Sequence, residues 1–155
     1  MLKKFIIPVL FGLTTQSFSA EANYLFFQTA SQGTLQKMGQ SDYLLTLDYP
    51  SEYINYFSER PVRKAGVSRL KEFFSLWDSN SKVDFSKNPP NAAITMIPTK
   101  GSNTQELIAT ISKPSFSRNS VSYHLKSIND THIETGNYKH VVLFFDSIPW
   151  NSGGF

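Results

Sequence analysis

The chain has 155 residues with no cysteine, 13 phenylalanines, 7 tyrosines and a formal charge of +3. Disulfide frameworks, thiolate metal sites and cysteine nucleophiles are therefore excluded. Lys3 and Lys4 supply part of the small positive charge, so bulk attraction to nucleic acid is not expected and any anion binding must be local.

Residues 1–22 read as an export signal. Lys3 and Lys4 precede an apolar run from Phe5 to Leu13, and the small residues of Ser17-Phe18-Ser19 and Ala20-Glu21-Ala22 offer cleavage patterns. The run is well short of the roughly 20 residues that span a bilayer. Without a thiol there is no lipoprotein anchor, and no later segment is long or apolar enough to cross. The expected product is exported, periplasmic or extracellular. It comprises one β-rich domain over 23–146, large enough for a ring-filled core, and a flexible tail over 147–155.

Tyr24–Ala30 is aromatic and β-prone and stops at the Ser31-Gln32-Gly33 turn. Thr34–Met38 pairs back, Asp42–Asp48 forms a third strand with Leu45 and Leu47 on one face, and Tyr53–Ser58 returns after Tyr49-Pro50-Ser51-Glu52. A helix is predicted from Ser68 as N-cap, because Leu70, Phe73, Phe74 and Trp77 fall at i, i+3, i+4 and i+7 on one apolar face. Val83–Lys87 is ambiguous, and Asn88-Pro89-Pro90-Asn91, either of whose X-Pro bonds is free to be cis, leads into a strand over Ala92–Ile97.

Glu106–Ser112 alternates with Leu107, Ala109 and Ile111 on one side, and Val121–Ile128 alternates with Val121, Tyr123 and Leu125 together. Asn129–Asn137 reads as a loop. His140–Asp146 is a continuous apolar run, as in a central strand buried on both faces. The expected fold is all-β: an antiparallel sandwich or partly open barrel with one amphipathic α-helix over an open end or edge.

Five basic residues, Arg60, Arg63, Lys64, Arg69 and Lys71, lie between Tyr56 and Trp77. If Arg60-Pro61-Val62-Arg63 is a type I turn, its ends lie within about 7 Å and two guanidinium forks converge on one phosphate, sulfate or carboxylate. Gly66 would let the chain turn sharply before Ser68, whose helix would add free N–H groups. Arg60, Arg63, Lys64, Ser68 and Arg69 thus form the expected anion site. The competing structural role pairs the arginines with Glu59, Glu52 or Asp48, tying the loop to the sheet.

Other chemistry is weaker. His124, His132 and His140 lack compact ligand spacing and read as surface histidines, so neither metal nor cofactor is expected. There is no G-x-S-x-G elbow and no glycine-rich phosphate loop. A carboxylate pair drawn from Asp48, Glu52 and Glu59 is unspecific.

Tyr24-Leu25-Phe26-Phe27-Gln28-Thr29-Ala30, Tyr56-Phe57-Ser58-Glu59-Arg60-Pro61-Val62-Arg63 with Ala65-Gly66, Pro89-Pro90-Asn91-Ala92 and Val142-Leu143-Phe144-Phe145-Asp146 occur in that order. In these segments the chain resembles an uncharacterised family of small exported bacterial proteins, whose members more often carry Asp at the position of Glu59 and often have a basic tail. In size and style it is also similar to small type II secretion substrates such as the NttA group. The first resemblance implies export and brings no established activity to carry over; the second adds a role in virulence.

The expected function is a secreted, non-enzymatic module binding an anionic group: a phosphorylated lipid headgroup, an acidic glycan or a phosphorylated small molecule, with peripheral membrane contact among its modes. The alternatives are a protein-docking module using a sheet edge, or a hydrolase.

Overall fold

A computed structural model describes residues 23–61, 63–78, 83–129 and 132–149; the expected export signal lies outside them. The strands are β1 (Asn23–Ala30), β2 (Gln32–Lys37), β3 (Asp42–Asp48), β4 (Tyr53–Ser58), β5 (Ala65–Arg69), β6 (Asn91–Pro98), β7 (Gln105–Ser117), β8 (Ser120–Ser127) and β9 (Gly136–Pro149). Between β5 and β6 stand a helix, α1 (Leu70–Phe74), and a single 3-10 turn (Ser75–Trp77).

All pairings are antiparallel, in the order β2-β3-β8-β7-β6-β9-β1-β4-β5, and a further β2–β9 pairing closes six strands into a barrel. The all-β expectation holds, with the barrel closed and β1, β4 and β5 carried outside the ring. Closure depends on the length of β9. Its first residues pair with β2 (Gly33↔Tyr138, Leu35↔Gly136), and the rest pairs with β1 from Ala30↔Val141 to Asn23↔Pro149. The strand starts at Gly136, inside the stretch expected to be loop. It also runs past Asp146, with Ile148 buried opposite Tyr24, so 147–149 belong to the folded unit and not to the tail expected from Ser147.

Gly33 sits where β2 meets both β3 and β9. A Cβ there would stand 2.9 Å from Val141 Cγ2 and 3.1 Å from the Thr46 carbonyl oxygen. The second neighbour is backbone and cannot swing aside. Gly33→Ala should therefore cost about 1–3 kcal/mol in a denaturant titration, as overpacking does in a filled core.

Strand alternation selects the core. Phe26, Leu45, Leu47, Ile94, Met96, Leu107, Ala109, Ile111, Val121, Tyr123, Leu125, Val141, Leu143 and Phe145 all face inward. One polar pair lies among them: the Tyr123 hydroxyl donates to Gln28 Oε1 at 2.6 Å, and burial pushes the Tyr123 phenol well above its ordinary pKa. Gln28 Nε2 has no hydrogen-bond partner among the described residues. Tyr123→Phe should cost about 1–3 kcal/mol, because it strands a second buried atom of the same amide. Adding Gln28→Met should recover part of that loss, and a double-mutant cycle on unfolding free energies checks the sign.

The helix is shorter and starts later than expected. Strand alternation continues through Arg69, so Ser68 belongs to β5 and helical geometry begins at Leu70. Glu72 turns back to accept the Arg69 N–H at 3.3 Å. The predicted stripe is nonetheless the packed one: Leu70, Phe73 and Phe74 are buried and Trp77 packs against the core. Lys113-Pro114 does not end β7, which continues through a register shift between Ser112 and Ser115. Nor is β9 buried on both faces: Val141, Leu143 and Phe145 point in, while Phe144 is 47% exposed.

Candidate functional site

The β4–β5 hairpin carries the basic cluster outside the barrel. Its strands pair from Tyr53↔Arg69 to Phe57↔Ala65. Beyond that, Ser58 ties the loop: its backbone N–H donates to the Lys64 carbonyl at 2.8 Å, and its Oγ accepts the Lys64 N–H at 2.9 Å. The segment between them therefore projects as a tip. The Arg60–Pro61 peptide bond is cis, and Val62, at the centre of the expected type I turn, lies outside the described residues; Pro89 and Pro90 follow trans bonds.

Arg60, Arg63 and Lys64 still come together. With Phe57, Ser58, Glu59 and Ala65 they line one open hollow of about 620 Å³. All three cations are exposed. Among the described residues the ion pair is Lys87–Asp84 at 3.0 Å, and the tethers from Arg60 or Arg63 to Glu59, Glu52 or Asp48 are not formed. Arg60 and Arg63 thus border the same hollow, and both are open to solvent.

Ser68 and Arg69 do not join this site. Ser68 faces inward, only 7% exposed, and its hydroxyl donates to Glu72 Oε2 at 3.3 Å and toward the Arg69 carbonyl at 3.4 Å. Arg69 lies on the outward face of β5 opposite Tyr53, at the end of the hairpin away from the tip. With five residues, α1 is also too short to present the helix N-terminus expected beside the arginines. Gly66 serves packing and not a sharp turn. It is extended opposite Tyr56, and a Cβ there would meet the Tyr56 Oη at 2.6 Å and Cζ at 2.8 Å. The missing side chain lets that ring lie across β5 and reach Tyr24 and Phe26 with centroids 5.5 and 5.8 Å away.

A second hollow, about 610 Å³, lies where the 3-10 turn, the segment around Phe85 and the far half of β7 meet. Phe74, Trp77, Phe85 and Phe116 supply its rings, Lys71 and Lys113 its cations. Phe74 and Phe116 lie 4.5 Å apart, and Trp77 and Phe85 4.9 Å apart. At its margin the Asp84 carboxyl is held down to about 2 by the Ser86 hydroxyl and by Lys87. The hollow depends on β7 outlasting Lys113-Pro114, and the serine–phenylalanine alternation of Ser115-Phe116-Ser117 is the signal that could have disclosed it. No group of three His, Asp or Glu side chains is placed to hold a metal among the described residues.

No family model, curated protein or solved structure matches the chain. The functional reading rests on the residues themselves.

Proposed function

We propose that the protein is an exported, non-enzymatic binding module that takes an anionic group on Arg60, Arg63 and Lys64. The observation that carries this reading is the hairpin tip: three exposed cations line one hollow, and none is tied to an acidic side chain among the described residues. Arginine forks match phosphate, sulfate and carboxylate oxygens, so phosphorylated lipid headgroups, acidic glycans and phosphorylated small molecules share the required chemistry. The test is heat protection. Inositol hexakisphosphate should raise the melting temperature of the protein, and uncharged inositol should leave it unchanged. Indifference to this anion and to sulfated glycans rejects the reading.

Export is part of the proposal, supported by the Lys3-Lys4 start, the apolar run and the resemblance to small exported proteins. Mass spectrometry of protein recovered outside the inner membrane should find an N-terminus between Ala20 and Asn23; an intact Met1 there rejects it. A second reading, docking of a protein partner by strand addition, is favoured by one observation: β5 ends the sheet order with its outer edge unpaired among the described residues.

A further inference from the structure

The outward faces of the strands beside the basic hairpin form an apolar row that follows from strand register alone. Val67 on β5 stands opposite Asn55 on β4, Asn55 opposite Phe27 on β1, and Phe27 opposite Phe144 on β9. Phe144 stands opposite Ala93 on β6, and Ala93 opposite Ile108 on β7. The five steps of this row cross roughly 24 Å of sheet. The Phe27 and Phe144 rings stack with centroids 5.9 Å apart, yet Phe144 remains 47% exposed, Ile108 48% and Val67 58%. A parallel row of Leu25, Phe57 and Ala65 leads toward the hairpin tip. Scattered surface phenylalanines are ordinary, but a cross-strand apolar stripe left in water, interrupted here only by Asn55, marks a contact surface.

Charge indicates what that surface meets. The hairpin bordering the stripe, from Tyr53 to Arg69, carries four cations (Arg60, Arg63, Lys64 and Arg69) against the single acid Glu59. Phe57 and Ala65 belong both to the apolar rows and to the lining of the basic hollow, so the two features are one surface. Glu106 on β7 borders the far end of the stripe, and Asp146 on β9 lies beside Leu25 at the β1–β9 register shift, two strands from the hairpin. Apolar side chains next to clustered Arg and Lys complement the boundary between acyl chains and anionic headgroups, where burial of the first and attraction of the second act together.

We propose that this face docks on an anionic bilayer, with Arg60, Arg63 and Lys64 on lipid phosphates and the Phe27–Phe144 stripe against the acyl boundary. The proposal rests on the anion-binding reading and names its ligand source. The test is sedimentation of the protein, as recovered from the cell, with phosphatidylcholine vesicles made with and without phosphatidylglycerol. Phe144→Ser and Val67→Ser are compared with the unaltered protein, each checked by its melting curve. Anything bound through residues 1–22 is common to all three proteins and cannot create a difference between them.

Binding should require phosphatidylglycerol and fall about tenfold for each substitution, the scale of losing one partly inserted apolar side chain. Heat protection by inositol hexakisphosphate should be unchanged in both variants. Vesicle binding indifferent to phosphatidylglycerol, or equal in the variants, overturns the proposal. Heat protection without vesicle binding overturns the bilayer while leaving the anion site standing, and loss of both removes both. A dimer in light scattering that Phe144→Ser converts to monomer assigns the face to a second copy of the chain and equally overturns the proposal.

Discussion

Phe73→Ala should lower the unfolding free energy by about 3–5 kcal/mol in a denaturant titration, the largest loss expected from any single change in the chain. Phe73 is 1% exposed, and its ring meets Phe26 on β1 and Phe145 on β9, each with centroids 4.9 Å away. Trp77 closes over it from the 3-10 turn with centroids 5.4 Å apart. Truncation would remove the ring that joins the helix to two strands. Its neighbours are fixed by strand pairing and have little freedom to collapse into the space. Trp77→Ala should cost less, because that side chain is only partly buried and its indole N–H reaches the Ile111 carbonyl at a long 3.4 Å. A loss for Phe73→Ala below about 1 kcal/mol would mean that the helix is not packed on the core, since a buried ring cannot be removed so cheaply.

What could be read in the sequence follows from the period of each segment. Leu107, Ala109 and Ile111, and Val121, Tyr123 and Leu125, were assignable to the core because polar residues between them marked the other face. His140–Asp146 offered no such contrast. Val142 and Phe144 read as buried, and only their register with β1 and β6 places them outside. The docking face was hidden by the same ambiguity.

The helical stripe was legible through its own spacing, but the helix start was not. Ser68 is a favourable N-cap by residue type, yet β5 pairs with β4 and holds that serine in a strand. The basic tip was legible because Arg60, Arg63 and Lys64 crowd a short connection between paired strands. Arg69 lies near them in sequence, but the hairpin carries it to the opposite end. Gly66 was conspicuous for a turn it does not make; the phenol it accommodates comes from the partner strand, and no local pattern reports that contact.

Replacing Arg60 and Arg63 together with Ala should weaken anion binding about 100-fold or more while leaving the melting temperature nearly unchanged. Each charge-assisted contact is worth about 1.5–3 kcal/mol, and two lost together exceed two decades of affinity. Stability should hold because both side chains are exposed and neither forms an ion pair among the described residues. The Ser58–Lys64 backbone tie that closes the loop involves neither arginine side chain. Equilibrium titration with inositol hexakisphosphate, monitored beside a melting curve, gives both quantities from one preparation. Wild-type affinity should also fall as salt rises, since the hollow is open to solvent and its charges are screened within about a Debye length, roughly 10 Å at 0.1 M. A melting temperature lowered by many degrees in the double variant, with the wild type indifferent to the anion, would assign the arginines to holding the hairpin. Lysine at both positions is the finer discriminant. It keeps the charge but loses the planar fork, so Arg60→Lys with Arg63→Lys should retain the salt dependence and lose most of the affinity if the forks bind oxygen pairs.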